Sequence, residues 1–80
     1  MTWAAWDISN AVWRASEAAD ANGWEAHDVT PDCACFIKGD HHIVIHIAVN
    51  GGIVVIFTDQ GSYKGHDRAG WAVRYIEENS

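Results

Sequence analysis

Apolar residues recur at spacings of three and four near the start of the chain, where Ala5, Ile8, Val12, Ala15 and Ala19 form one stripe. The stripe predicts a helix over residues 2–22 or 3–22. Asn22-Gly23 ends it, with Gly23 in the left-handed C-terminal position that only glycine takes without strain. Residues 24–32 follow neither period and read as irregular or extended, closed by the turn signal Thr30-Pro31-Asp32. Three strands are then expected, at about 33–38, 42–49 and 53–58. Gly39-Asp40 makes the first turn, and Asn50-Gly51-Gly52 is the strongest hairpin signal in the chain. Residues 60–65 read as a polar loop. Asp67 or His66 caps a last helix reaching about residue 78, with Ala69, Ala72, Val73 and Ile76 on one face. The pattern predicts a single α+β domain over residues 1–80, ordered α-β-β-β-α, with a three-stranded antiparallel meander packed with two helices.

Alternation along strands converts these turns into faces. A turn at Gly39-Asp40 sets Phe36 opposite Ile43 and Cys33 opposite His46. One face then holds Ala34, Phe36, Ile43, Ile45, Ile47, Val54 and Ile56, and is the expected core side. The other holds Cys33, Cys35, Ile37, His42, Val44, His46, Ala48, Ile53, Val55 and Phe57. If both helices cover the first face, the second becomes an exposed apolar patch of the kind that marks an interface. Ile37, His42, Val44, His46, Val55 and Phe57 are its candidate residues. One helix on each face is the alternative. Trp6 and Trp13 lie off the first helix's apolar stripe, with Trp3 nearby and Glu17 and Asp20 interleaved; Trp71 and Tyr75 lie off the stripe of the last helix. These rings either fold over the core rim or form a partner-binding surface bordered by acids.

Composition explains the strand content. Eight Ile, seven Val and no Leu leave a core of β-branched and aromatic side chains, and five Trp residues are many for 80 positions. Eleven acids against five Lys and Arg give a net charge of −6, a poor balance for holding nucleic acid directly. The acids are scattered along the chain, so folding spreads them over rigid elements. A rigid negative surface carrying Trp suits docking on a basic groove, although acids also serve plain solubility. The N-terminal residues lack a basic segment followed by a continuous apolar one, and the apolar run over 43–57 is interrupted by His46 and Asn50-Gly51-Gly52. No membrane association is therefore expected, and a cytoplasmic setting in a bacterial host fits two reduced cysteines.

Catalytic candidates are sparse. His42 and His46 stand on the order of 13 Å apart along a strand, too far to share an ion with Cys33 and Cys35, so no metal or other cofactor is expected. Cys33 beside His46 is a thiolate-pair arrangement without an orienting third group. Gly61-Ser62-Tyr63-Lys64-Gly65 lacks a phosphate-loop pattern. The expectation is a protein that is not an enzyme.

A lone acidic domain of this size and element order resembles small phage-encoded inhibitors of the anti-CRISPR type. The resemblance implies a protein that binds a CRISPR effector complex and occludes its basic nucleic-acid site, here through Trp3, Trp6, Trp13, Glu17, Asp20, Trp71 and Tyr75. Asn22-Gly23-Trp24 and Lys38-Gly39-Asp40-His41-His42 are locally similar to HicA-type toxins. That resemblance implies an RNA-binding-like α-β-β-β-α fold and mRNA cleavage with His41 or His42 as the catalytic group. The chain departs from that family at Asp40, where Ser is usual, in the longer stretch over 24–41, and in its acidity. A homodimeric interaction module using the second sheet face is the remaining alternative.

Overall fold

The computed structural model describes residues 10–30 and 32–80. Among them the chain forms helix α1 (Asn10–Ala21), strands β1 (Glu25–Val29), β2 (Cys33–Lys38), β3 (His41–Ile47), β4 (Ile53–Thr58) and β5 (Gly61–Tyr63), and helix α2 (Arg68–Glu78). The strands make one antiparallel sheet in the order β1-β2-β3-β4-β5. The fold is α+β, with five strands instead of the three expected. Both additional strands lie at the edges. β1 occupies part of the segment read as irregular or extended, and β5 part of that read as a polar loop. Their side chains are mostly exposed, so they carry little hydrophobic period to detect.

The end of α1 shows how local chemistry sets the geometry. Gly23 has φ 80°, and the Trp24 amide donates to the Ala19 carbonyl at 2.8 Å. The Gly23 amide reaches the Asp20 carbonyl at 3.4 Å, completing the paired closure of a glycine-terminated helix. Lys38 Nζ donates to the Asn22 carbonyl at 2.7 Å, setting a cation on the negative end of the helix. At the start of α2, Asp67 takes the N-cap position and its carboxylate accepts from the Gly70 amide at 3.2 Å.

Both helices pack on the same sheet face. Val12, Ala15 and Ala19 of α1 and Ala72, Tyr75 and Ile76 of α2 share one buried cluster with Ala34, Phe36, Ile43, Ile45, Ile47, Ile53 and Ile56 of the sheet. The small Ala side chains let the helices approach the sheet closely, while Ile, Phe36 and Trp24 fill the volume that Leu usually supplies. Ala5 and Ile8, the first positions of the predicted stripe, lie outside the described residues. Among the described residues, no helix is long and apolar enough to cross a membrane.

The register between β2 and β3 is the one the Gly39-Asp40 turn predicts, with Phe36 opposite Ile43 and Cys33 opposite His46. Between β3 and β4 the pairing slips. Val55 faces His46 but Ile53 faces Ile47, which leaves Val54 as an extra residue in a bulge. Ile53 is consequently buried at 8% exposure, while Val54 is 46% exposed. This corrects the strict alternation, which put Val54 in the core and Ile53 on the open face. Ala48 also drops out of that face, because β3 ends at Ile47.

Candidate functional site

α1 does not cover β1 fully. A groove of about 360 Å³ runs between them, floored by Ala19, Trp24, Ala26 and Phe36 and rimmed by Trp13, Ser16, Glu17 and Asp20. Trp13 is 42% exposed and Trp24 is buried at 5%. Trp24 is the hydrophobic residue that follows the glycine stop, the position that packs back on the last helical turn. It completes the floor, yet it has no place among the partner-binding residues predicted from the sequence. The indole Nε1 donates to Ser80 Oγ at 3.4 Å, so its polar edge is satisfied within the fold.

The rim is negative. Among the described residues neither Glu17 nor Asp20 is ion-paired, and the ion pair that is present joins His41 to Asp59 elsewhere. Glu25 and Asp28 on β1 are exposed too, but they pair with Ile37 and Cys35 and so belong to the opposite, open face of the sheet. Two of the chain's five basic side chains are meanwhile spent on backbone carbonyls. Lys38 holds Asn22, and Arg68 donates to the Ile53 and Lys64 carbonyls at 3.2 and 3.0 Å.

The predicted partner residues thus divide. Trp13, Glu17 and Asp20 meet at one groove, whereas Trp71 and Tyr75 line a second one of about 190 Å³ with Gln60, Arg74, Glu78 and Asn79. Trp3 and Trp6 lie outside the described residues. Tyr75 is buried at 6%, which corrects its expected position away from the apolar face of α2. The helix sits so that Tyr75 points into the rim between α2 and the end of β4, where its hydroxyl donates to Asp59 in the β4–β5 turn.

A line of rings connects the two grooves. Tyr63 stacks on Trp71 at 4.6 Å and Trp71 on Tyr75 at 5.5 Å between centroids. Tyr75 meets Trp24 edge-on at 6.2 Å, and Trp24 lies 6.4 Å from His41. Asp59 is the polar node beneath them. It accepts hydrogen bonds from the Tyr75 hydroxyl, from the His42 amide at 3.2 Å and from His41 Nδ1 at 3.2 Å. The Tyr75 hydrogen bond, aided by those of His42 and His41, holds the Asp59 carboxyl down to about 2. Burial and the adjacent carboxylate push Tyr75 up to about 12.

The open sheet face carries the remaining candidates. His46 lies between Cys33 and Val55, Val44 between Cys35 and Phe57, and His42 beside Ile37. Phe57 is 44% exposed and meets the His46 ring edge-on at 5.4 Å. Burial and the neighbouring Asp28 raise the Cys33 thiol, and burial, Cys33 and Asp28 raise Cys35. An upward shift is the opposite of the depression that activates a cysteine nucleophile. Among the described residues no group of three His, Cys, Asp or Glu side chains converges to hold a metal ion. Comparison with known proteins finds no matching family model, no matching curated protein and no matching solved structure.

Proposed function

We propose that the chain is a non-enzymatic inhibitor of the anti-CRISPR type, which binds a CRISPR effector complex and blocks target nucleic-acid binding. The observation that carries this reading is the groove between α1 and β1, where exposed Trp13 stands beside unpaired Glu17 and Asp20 over an apolar floor. An aromatic anchor in a concave apolar site supplies contact energy, and the unpaired acids steer the encounter with a basic surface. Among the described residues no Lys or Arg pairs with Glu17 or Asp20, and this supports it, because both carboxylates are left to meet a basic surface.

The test is a pull-down with purified CRISPR effector complexes, followed by target-DNA binding. Capture and loss of DNA binding are expected. Trp13→Ala should weaken capture at least about tenfold. The double reversal Glu17→Lys and Asp20→Lys should weaken it and flatten its salt dependence. Failure of every complex to associate, or retained DNA binding in the complex, would refute the proposal.

A second reading rests on the His41–Asp59 pair. A carboxylate orienting an imidazole that is partly open to solvent is an arrangement suited to proton transfer, and it falls on one of the histidines implied by the HicA resemblance. RNA cleavage that disappears in His41→Ala would establish this ribonuclease reading in place of the first. Absence of cleavage, or cleavage equal in the two proteins, removes it.

A further inference from the structure

With both helices on one face, the other face of the sheet is bare of every described element. Its centre is well defined. β3 is the middle of five strands and Val44 the middle residue of β3, flanked laterally by Cys35 and Phe57 and along the strand by His42 and His46. The molecule is a slab whose Cα extents are 30 × 29 × 17 Å, so this face is one of its two broad sides. The sheet's edges are poor sites for adding a strand. β1 bears exposed Glu25, His27 and Asp28 and a register shift, and β5 is three residues long.

We propose that the open face is covered by the same face of a second copy of this chain, packed as a sheet-on-sheet dimer about a twofold axis parallel to β3. Strands ~4.8 Å apart, rising ~3.3 Å per residue, give a face of about 20 × 20 Å, or roughly 500 Å² of accessible surface once side-chain relief is included. Two copies bury about 1,000 Å², the threshold for a specific but reversible association. This axis seats Val44 on the second copy's Val44 and sets the small Cys35 against the Phe57 ring. It also lays the acidic β1 edge over the β5 edge, with Asp28 level with Ser62 and Lys64 two residues further along the strand. A twofold perpendicular to the strands would stack β1 on β1 and set acids against acids, which charge repulsion opposes. The dimer uses a surface separate from the groove between α1 and β1, so the two proposals stand or fall separately.

Sedimentation equilibrium of the full chain in reducing buffer, from about 5 to about 500 µM, tests it. The average mass should rise from 8.8 kDa towards twice that value as concentration increases. Phe57→Asp, or the milder Phe57→Ser, should weaken association at least about tenfold and leave the far-UV circular dichroism unchanged. Asp28→Lys and Lys64→Asp should each weaken it, and the double variant should recover it. A wild-type mass of 8.8 kDa at every concentration overturns the proposal, as does a dimer that survives Phe57→Asp in the folded state. A double charge swap that fails to recover association overturns the strand-parallel axis.

Discussion

Replacing Ile53 and Val54 by alanine, one at a time, tests the bulge that separates this fold from strict strand alternation. Ile53 faces Ile47 in the core at 8% exposure, while Val54 is extruded at 46%. Truncating a buried Ile to Ala costs about 2–5 kcal/mol, from lost burial and the cavity left behind. Ile53 opens β4 beside a hairpin loop that can relax, so the low end, about 2 kcal/mol, applies. Val54→Ala removes an exposed side chain and loses only strand preference, less than about 1 kcal/mol. A domain of 80 residues has about 4–12 kcal/mol in total, so the first change is a large fraction of it and the second is not. In melting temperature the difference is about 8–16 °C against less than about 8 °C, and typically much less. Urea unfolding followed by Trp fluorescence measures it, with the midpoint shifting and the slope held constant. If Val54→Ala costs as much as Ile53→Ala, or more, β4 is continuous, the bulge is absent and the assignment of its faces is reversed.

Three further outcomes follow from the same structure. Tyr75→Phe removes the leading hydrogen bond to Asp59, so an NMR titration of the Asp59 carboxyl should show its pKa rising from about 2 towards the ordinary range; an unchanged value would mean the Tyr75 contact is not the cause. Because the folded-state value is depressed, stability from Asp59 is present above the unfolded carboxylate range and is lost as pH falls towards about 2, and acid unfolding of Tyr75→Phe should begin at higher pH than in wild type. Tyr75 itself is raised to about 12, so its contribution is present below about 10 and is lost as pH rises through 12, which should appear as alkaline destabilisation in pH-dependent melts. Gly23→Ala adds a Cβ at ordinary contact distance, 3.6 Å from Lys38 Nζ, so its cost is the left-handed backbone alone, about 1–2 kcal/mol by denaturant unfolding; a neutral effect would argue against the φ of 80°.

Much of the frame was legible in the order of residues, because short-range chemistry determines it. Glycine at a helix end, two tight turns and the stripe of Val12, Ala15 and Ala19 act within a few positions of themselves, and they located α1's end, the β2–β3 register and α2's start. Other features were hidden because they are decisions of the assembled molecule. The edge strands β1 and β5 carry few buried side chains and are held mainly by pairing with β2 and β4. The extra residue at Val54 follows from fitting β4 to both β3 and the helix layer, and no periodicity announces it. The candidate site divides the same way. Trp13, Glu17 and Asp20 share one side of a helix and could be grouped from spacing, and the glycine stop places Trp24 beside them, but Ala26 and Phe36 join only when the sheet assembles next to α1. Asp59, Tyr75 and His41 come from a turn, a helix and the start of a strand far apart in the chain, and only strand pairing and the packing of α2 across the sheet bring them together. The sequence by itself determined composition, charge, turns and stripes, which are local quantities. The tertiary structure alone decided that both helices share one side, since an apolar stripe specifies that it must be buried and not against which face of a sheet that is apolar on both.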